Sequence, residues 1–273
     1  MLNQYTLYNN QLIKNEKLTQ ADDNEAFVYE VLRVIDYIPL FFEEHIHRLN
    51  NSCAKIGKKL AIDQDQLFKQ LVELSRKNYV SEGNIMLKVL FHNTESRIIA
   101  KFIPHTYPSS EQYDKGVNVG FLKAERDNPE VKITQTNVRK EADKLLAETG
   151  FYEVILVNQN GYISEGSRSN CFFIKDNCLY TATLDKVLKG ITLLRVLSVA
   201  KELKIDVFFE NISATDIHKF DAMIITGTSP KILPVAKAGQ VSFNVKNPLI
   251  AKLQNSYNQK ISKDIAQKKE AIK

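Results

Sequence analysis

Apolar positions in the first hundred residues come in short β-rich runs, interrupted by stretches where they recur every three or four residues. Positions 26–35 (AFVYEVLRVI) and 38–42 (IPLFF) are two such runs joined by a polar turn at Asp36-Tyr37, which predicts a hairpin. Ile46, Leu49, Cys53 and Ile56 then fall at the spacing of one buried helix face. A second helix is predicted over 65–78 (DQLFKQLVELSRKN). The runs 85–92 (IMLKVLFH) and 97–104 (RIIAKFIP) read as paired strands, with Asn93-Thr94-Glu95-Ser96 as their turn.

Further along, 117–122 (VNVGFL) reads as a strand and is followed by the charged, proline-containing stretch Glu125-Arg126-Asp127-Asn128-Pro129-Glu130. The helical pattern of 137–150 ends on Gly150, a C-cap because glycine accepts positive φ. Strands are predicted at 153–158, 162–166, 170–175 and 178–182, with a turn at Gln159-Asn160-Gly161. A helix over 191–204, strands at 206–210 and 222–227, and a closing helix from Pro248 complete the chain. This alternation predicts the α/β class, built as two α+β lobes. A chain of 273 residues also sits where single cores stop growing, at about 250–300 residues. The expected division is a smaller N-terminal domain at 1–117, a linker at 118–130 and a larger C-terminal domain at 131–273.

Composition narrows the function classes. With 44% hydrophobic and 25% charged residues the chain has ordinary material for a packed core. The net charge of +5 is concentrated partly in 260–273, which reads as a solvated helix end and not as a nucleic-acid surface. Three cysteines, Cys53, Cys171 and Cys178, cannot complete a disulfide framework and contain no CxxC pair. No basic-then-apolar leader and no run of about 18 apolar residues occurs, so a cytoplasmic protein outside the membrane is expected.

Several residue groups could carry chemistry. A lysine such as Lys132, desolvated between two lobes, becomes a nucleophilic amine able to form a Schiff base with an aldehyde cofactor; alone it is indistinguishable from a surface lysine. Glu165 ends the strand at 162–166, where a carboxylate can face a ring nitrogen or simply face water. Gly190-Ile191-Thr192 opens an amphipathic helix whose free N–H groups suit a phosphate, and Thr226-Gly227-Thr228-Ser229-Pro230 offers more hydroxyls and amides or a plain tight turn. Arg48 should point away from the Ile46/Leu49 core face and could meet an anion. His45 and His47 splay apart on a helix, and no zinc motif is present, so no metal is expected.

In order along the chain, these landmarks resemble the class IV (fold type IV) pyridoxal-phosphate enzymes, which include branched-chain aminotransferases, D-amino-acid aminotransferase and aminodeoxychorismate lyase. The resemblance runs through VYEVLRV from Val28, EEHIHRL, VKITQTN, GYISEGSRSN, LKGITLLRV and TGTSPKILPV to Val235. The 19 positions from Tyr29 to Arg48 and the 18 from Lys132 to Gly150 are also similar to the family's. It implies two domains with pyridoxal 5'-phosphate in the interdomain cleft of a homodimer. It further implies Lys132 as the Schiff-base lysine and proton carrier, and Glu165 at the pyridine nitrogen. Arg48, the helix start Gly190-Ile191-Thr192 and Thr228 would be on the phosphate, Leu188 against the ring, and Tyr29 with Ser229 in the substrate pocket. The activity implied is amino transfer between an amino acid, branched-chain ones among the candidates, and a 2-oxo acid. A lyase releasing pyruvate from aminodeoxychorismate, and a cofactor-binding regulatory homologue, are the alternatives. The chain departs from the family pattern at Gln135 (usually Asn), at DDNEAF before the Tyr29 strand, at GITL (usually GITR), and at Phe91-His92, where D-amino-acid aminotransferase has a carboxylate-binding arginine.

Overall fold

The computed structural model describes residues 4–15, 27–92, 95–126, 129–133 and 136–272, apart from the side chains at 92, 95 and 136. The first hundred residues build one antiparallel sheet. Its strands are β1 (Tyr5–Tyr8), β2 (Gln11–Lys14), β3 (Val28–Ile35), β4 (Ile38–Pro39), β5 (Glu82–His92) and β6 (Glu95–Ile103), in the order β2-β1-β6-β5-β3-β4. Two helices, α1 (Phe42–Lys55) and α2 (Gln64–Lys77), join β4 to β5. Leu32 and Val34 on β3, Ile46 and Leu49 on α1, Leu71 and Leu74 on α2, and Ile85 and Leu87 on β5 meet in one buried cluster. Alternation on the strands and the three-to-four spacing on the helices turn the same apolar residues toward one core.

Local differences from the expected elements have physical causes. The hairpin turn is as expected, with Asp36 and Tyr37 both at positive φ, but the returning strand is only two residues long. Phe41 adopts the left-handed conformation as the N-cap, and Phe42 already begins α1. An apolar run this short does not distinguish a strand from the start of a helix. Ile46, Leu49 and Cys53 are buried as predicted, whereas Ile56 is 41% exposed because it lies just past the last helical turn. Glu95 and Ser96 belong to β6, paired with His92 and Phe91, and Asn93-Thr94 lies outside the described residues.

A second, mixed sheet contains β7 (Val117–Lys123), β8 (Glu153–Val157), β9 (Tyr162–Gly166), β10 (Asn170–Lys175), β11 (Cys178–Thr181), β12 (Val207–Phe209), β13 (Ile212–Ser213), β14 (Ala222–Gly227), β15 (Lys231–Ala238) and β16 (Val241–Ser242). The order is β12-β11-β10-β14-β15-β7-β8-β9-β13, with β16 on β15; β7 runs parallel to both β15 and β8. Helices α3 (Ser110–Lys115), α4 (Thr136–Thr149) and α5 (Ile191–Glu202) accompany it, with α4 against β8 and α5 against β14. The final helix is α6 (Pro248–Ala271). Near-continuous burial along β8, β10 and β14 explains their runs of Val, Ile and Phe. All three cysteines are free, and burial pushes the thiols of Cys53 and Cys171 up to about 11 and about 12.

Two compact units result, divided differently from the expected domains. The first comprises Met1–Thr106, Val131–Thr134 and Lys260–Lys273; the second comprises Tyr107–Glu130 and Gln135–Gln259. Residues 118–123 of the expected linker at 118–130 are therefore part of strand β7 of the second sheet, and the short segment around Lys132 belongs with the first unit. The reason is backbone pairing at long sequence range. Val28 and Ile133 form an antiparallel bridge, and the Tyr29 N–H donates to the Lys132 carbonyl at 3.0 Å.

Helix α2 supplies a test of the local reading. Asp63 caps it by accepting from the Gln66 N–H at 2.9 Å. Asp63→Ala is expected to lower stability by about 1 kcal/mol and Asp63→Asn by less, measured by urea denaturation.

Candidate active site

In the first unit, Lys132 follows Val131 into the short bridge with β3. Its carbonyl accepts from Tyr29, its own N–H faces the Ser52 Oγ on α1 at 3.4 Å, and its Nζ lies 4.7 Å from the centre of the Tyr29 ring. Tyr29 is paired across the sheet with Lys88 of β5, so both side chains stand on the same face. Lys88 is buried, with its ammonium 4.4 Å from the centre of the Phe27 ring. Nothing in the local pattern of IMLKVLFH distinguished this lysine from an ordinary strand residue.

Because side chains alternate along a strand, Glu30 points to the opposite face from Tyr29, toward α1. There, His45 and Arg48 are three residues apart and so share one side of the helix. Glu30 is 0% exposed and receives three contacts: Arg48 Nε on Oε1 at 2.7 Å, Arg48 Nη2 on Oε2 at 2.6 Å, and His45 Nδ1 on Oε2 at 2.7 Å. Arg48 was expected to point away from the Ile46/Leu49 face, but it meets Glu30, which shares one face of β3 with Leu32 and Val34, so the arginine reaches toward the same side of the sheet as that core. Burial pushes the Glu30 carboxyl up, but the charge and hydrogen bonds of Arg48 and then His45 outweigh it and hold the group at about 2. For His45, burial is the largest effect and pushes it down. The Glu30 contact pushes it back up, the Arg48 and Lys132 charges push it down again, and the net result lies below 6.5. A neutral His45 donates from Nδ1, which assigns its tautomer from the contact with a carboxylate.

In the second unit, Glu165 stands near the end of β9, 2% exposed. Arg126 Nη1 reaches its Oε1 at 3.2 Å, while Oε2 accepts from Asn170 Nδ2 at 3.2 Å and from the Leu188 N–H at 3.1 Å. Asn170 also donates to the Leu188 carbonyl at 2.9 Å, so one amide ties the start of β10 to the approach to α5. A Cβ at Gly190 would lie 2.4 Å from Asn170 Oδ1, so a larger residue there would displace the hydrogen-bonded Asn170 side chain. Gly190 is the N-cap of α5 with no side-chain cap, and Ile191 and Thr192 behind it are buried. Thr226 pairs with Asn170 across β14 and β10, which sets the turn Thr228-Ser229-Pro230 beside the same strand ends.

A second buried carboxylate shapes this region. Glu153 accepts from Ser167 Oγ at 2.7 Å, Ser169 Oγ at 2.8 Å and the Arg168 N–H at 3.1 Å. It thereby pins the turn between Glu165 and Asn170. The second unit thus gathers Glu165, Leu188, Gly190, Ile191, Thr192, Thr228 and Ser229 around the ends of β9, β10 and β14, and the first unit gathers Tyr29, Arg48 and Lys132 around β3 and α1. Gln135 lies outside the described residues. Glu30, Lys88, Arg126 and Glu153 had no local sequence signal, and His45 was weighed only as a metal ligand, since their partners lie well outside the local sequence pattern.

The family model described as "Amino-transferase class IV" matches residues 27–238. The chain belongs to the class IV aminotransferases. Among curated relatives of this class IV aminotransferase, a Thermotoga maritima protein named "Probable branched-chain-amino-acid aminotransferase" is 29% identical over 230 residues, covering 82% of this chain and 81% of the relative. The "D-alanine aminotransferase" of Listeria monocytogenes is 27% identical over 278 residues, covering 93% and 95%. The crystal structure of Escherichia coli branched-chain amino acid aminotransferase shares the fold with a TM-score of 0.83 over 95% of each chain, at 22% identity. The expected fold type IV architecture is thereby met, and the class IV chain is an aminotransferase of the pyridoxal-phosphate-dependent kind.

The Glu30 cluster sets an acid dependence. A carboxyl held below its ordinary 4.5 contributes stability that is complete above 4.5 and lost as pH falls toward about 2. A histidine held below 6.5 likewise contributes stability that is complete above 6.5 and declines below it. Thermal melting between pH 2 and 7 should therefore show a Tm that falls with acid, with a shallower fall in Glu30→Gln than in the native protein.

Proposed function

We propose that this class IV aminotransferase transfers an amino group between an amino acid, with branched-chain side chains among the candidates, and a 2-oxo acid, using pyridoxal 5'-phosphate carried on Lys132. The observation that carries the reading is the polarity of the second unit. A buried carboxylate held by three donors, Glu165, stands beside the buried and uncapped start of α5. Such a pair suits a molecule with a protonated ring nitrogen at one end and an anion at the other.

Two further observations fit the phosphate-bearing aldehyde. Among the described residues the buried Thr226 hydroxyl has no hydrogen-bond partner, next to the turn carrying Thr228, and α5 starts at Gly190, whose lack of a side chain leaves the cap without a side-chain hydrogen bond. When bound, the cofactor supplies an electron sink for the carbanion formed as the α-proton leaves. The chain's own groups do the rest. Lys132 Nζ would be the amine that holds the aldehyde, and its free amine would serve as the base and acid for the α-proton of the amino acid. Glu165 would accept from the ring N–H, with Arg126, Asn170 and the Leu188 N–H keeping its carboxylate in place. Arg48, the Ile191 N–H, the Thr192 hydroxyl and Thr228 would hold the phosphate, and Leu188 would pack on the ring. Tyr29 and Ser229 line the substrate pocket, and the enzyme works as a homodimer.

Supplying L- and D-amino acids with several 2-oxo acids separates the readings. The expected outcome is turnover that depends strictly on an acceptor. Lys132→Ala should lose the absorption band of the lysine-bound aldehyde and at least about 10³-fold in rate, the scale of a positioned acid-base group. Pyruvate release from aminodeoxychorismate without any acceptor would replace amino transfer by lyase chemistry. A bound chromophore that no amino acid alters would leave only a binding protein.

A further inference from the structure

We propose that Glu30 is a positioning residue for the cofactor phosphate, acting by orienting Arg48, with His45 as the donor that keeps Glu30 itself in place. This rests on the reading that Arg48 contacts the phosphate.

Three aspects of the geometry support it. First, the contact is a side-on fork, in which Nε and Nη2 of Arg48 engage the two oxygens of one carboxylate at 2.7 and 2.6 Å. A fork of this kind fixes the plane of the guanidinium as well as its distance, which a single contact cannot do. Second, the carboxylate is itself held. Glu30 lies within β3, which pairs along its length with β5, and Oε2 also receives His45 Nδ1 at 2.7 Å. The flexible arginine is thus referenced to a strand and not only to its own helix. Third, the same strand pairs with the lysine segment through Tyr29 and Val28. Glu30 therefore ties the direction of Arg48 to the element that also sets the position of Lys132.

A purely structural role explains the cluster less well. Buried ion pairs are often no more stabilising than apolar side chains of similar volume, because removing charge from water offsets the attraction. Three polar groups placed where leucine-sized residues would pack are accounted for if one of them must be aimed. The charge of Glu30 works against an anion nearby, so its benefit has to come through orientation. That opposition makes the direction of the effect diagnostic.

The test compares dissociation constants for pyridoxal 5'-phosphate and for pyridoxal, followed by absorbance, in folded holo-competent protein. The ratio of the two constants reports the contribution of the phosphate alone. Arg48→Lys should collapse the ratio; if it does not, the assignment of Arg48 to the phosphate fails, and the Glu30 proposal with it. Glu30→Asp keeps the charge but shortens the reach, and should reduce the ratio by about ten- to a hundredfold, the scale lost when a binding side chain loses its orienting partner. Combined with Arg48→Lys it should add nothing. A ratio that is unchanged or raised in Glu30→Asp, while Arg48→Lys collapses it, overturns the positioning role and leaves the Arg48 assignment standing. Equal weakening of both ligands also overturns it, since that is the outcome of a structural defect. If Glu30→Asp does not fold, His45→Asn, which retains a donor, should preserve the ratio and His45→Leu should lower it. The same ratio in both would refute the proposal.

Discussion

The antiparallel contact between the start of β3 and the segment around Lys132 is the constraint on which the first unit's chemistry depends. A hydrogen bond from the Tyr29 N–H to the Lys132 carbonyl and the bridge from Val28 to Ile133 join positions about a hundred residues apart in the chain. Backbone pairing of this kind is directional and determines which side chains come together. It brings Lys132 Nζ over the Tyr29 ring, and the pleat of the strand then sends Glu30 to the opposite face, where α1 supplies His45 and Arg48. One strand thereby orders a lysine on one side and an arginine on the other.

In the second unit the corresponding role belongs to side chains. Asn170 bridges Glu165 and the Leu188 carbonyl, the Leu188 N–H returns to Glu165, and Glu153 closes the turn in between. Each buried oxygen in this set has a donor, as burial of charged and polar groups requires. The result is a fixed carboxylate close to the start of α5, whose N-cap residue, Gly190, supplies no side-chain cap. This arrangement places a negative group and a locally positive helix end in one small region.

Burial of this kind also makes the members of each cluster depend on one another. Glu30 is charged, buried and matched by Arg48, with His45 neutral beside it, so removing any member leaves another polar group without its partner. Losing one partner of a buried pair is far more damaging than exchanging the whole pair for apolar residues. The second unit repeats the principle with Glu165 and Arg126, at lower geometric precision because only one nitrogen makes the contact.

Much of the fold was legible in the chain itself. The alternation of 85–92 and 97–104, the spacing of Ile46, Leu49 and Cys53, and the continuous apolar runs of β8, β10 and β14 depend on backbone periodicity, which neighbouring residues express directly. The order of Lys132, Glu165, Gly190-Ile191-Thr192 and Thr226-Gly227-Thr228 was visible through the resemblance to the class IV enzymes, not through periodicity. Tertiary structure alone decided that the segment around Lys132 leaves its sequence neighbours to pair with β3, that 117–123 is a strand of the second sheet and not a linker, and that Arg48 meets Glu30. It also decided the partnerships of Lys88, Arg126 and Glu153. These depend on contacts across tens of residues and on the cost of leaving a buried charge unmatched, and neither is written in the spacing of nearby side chains.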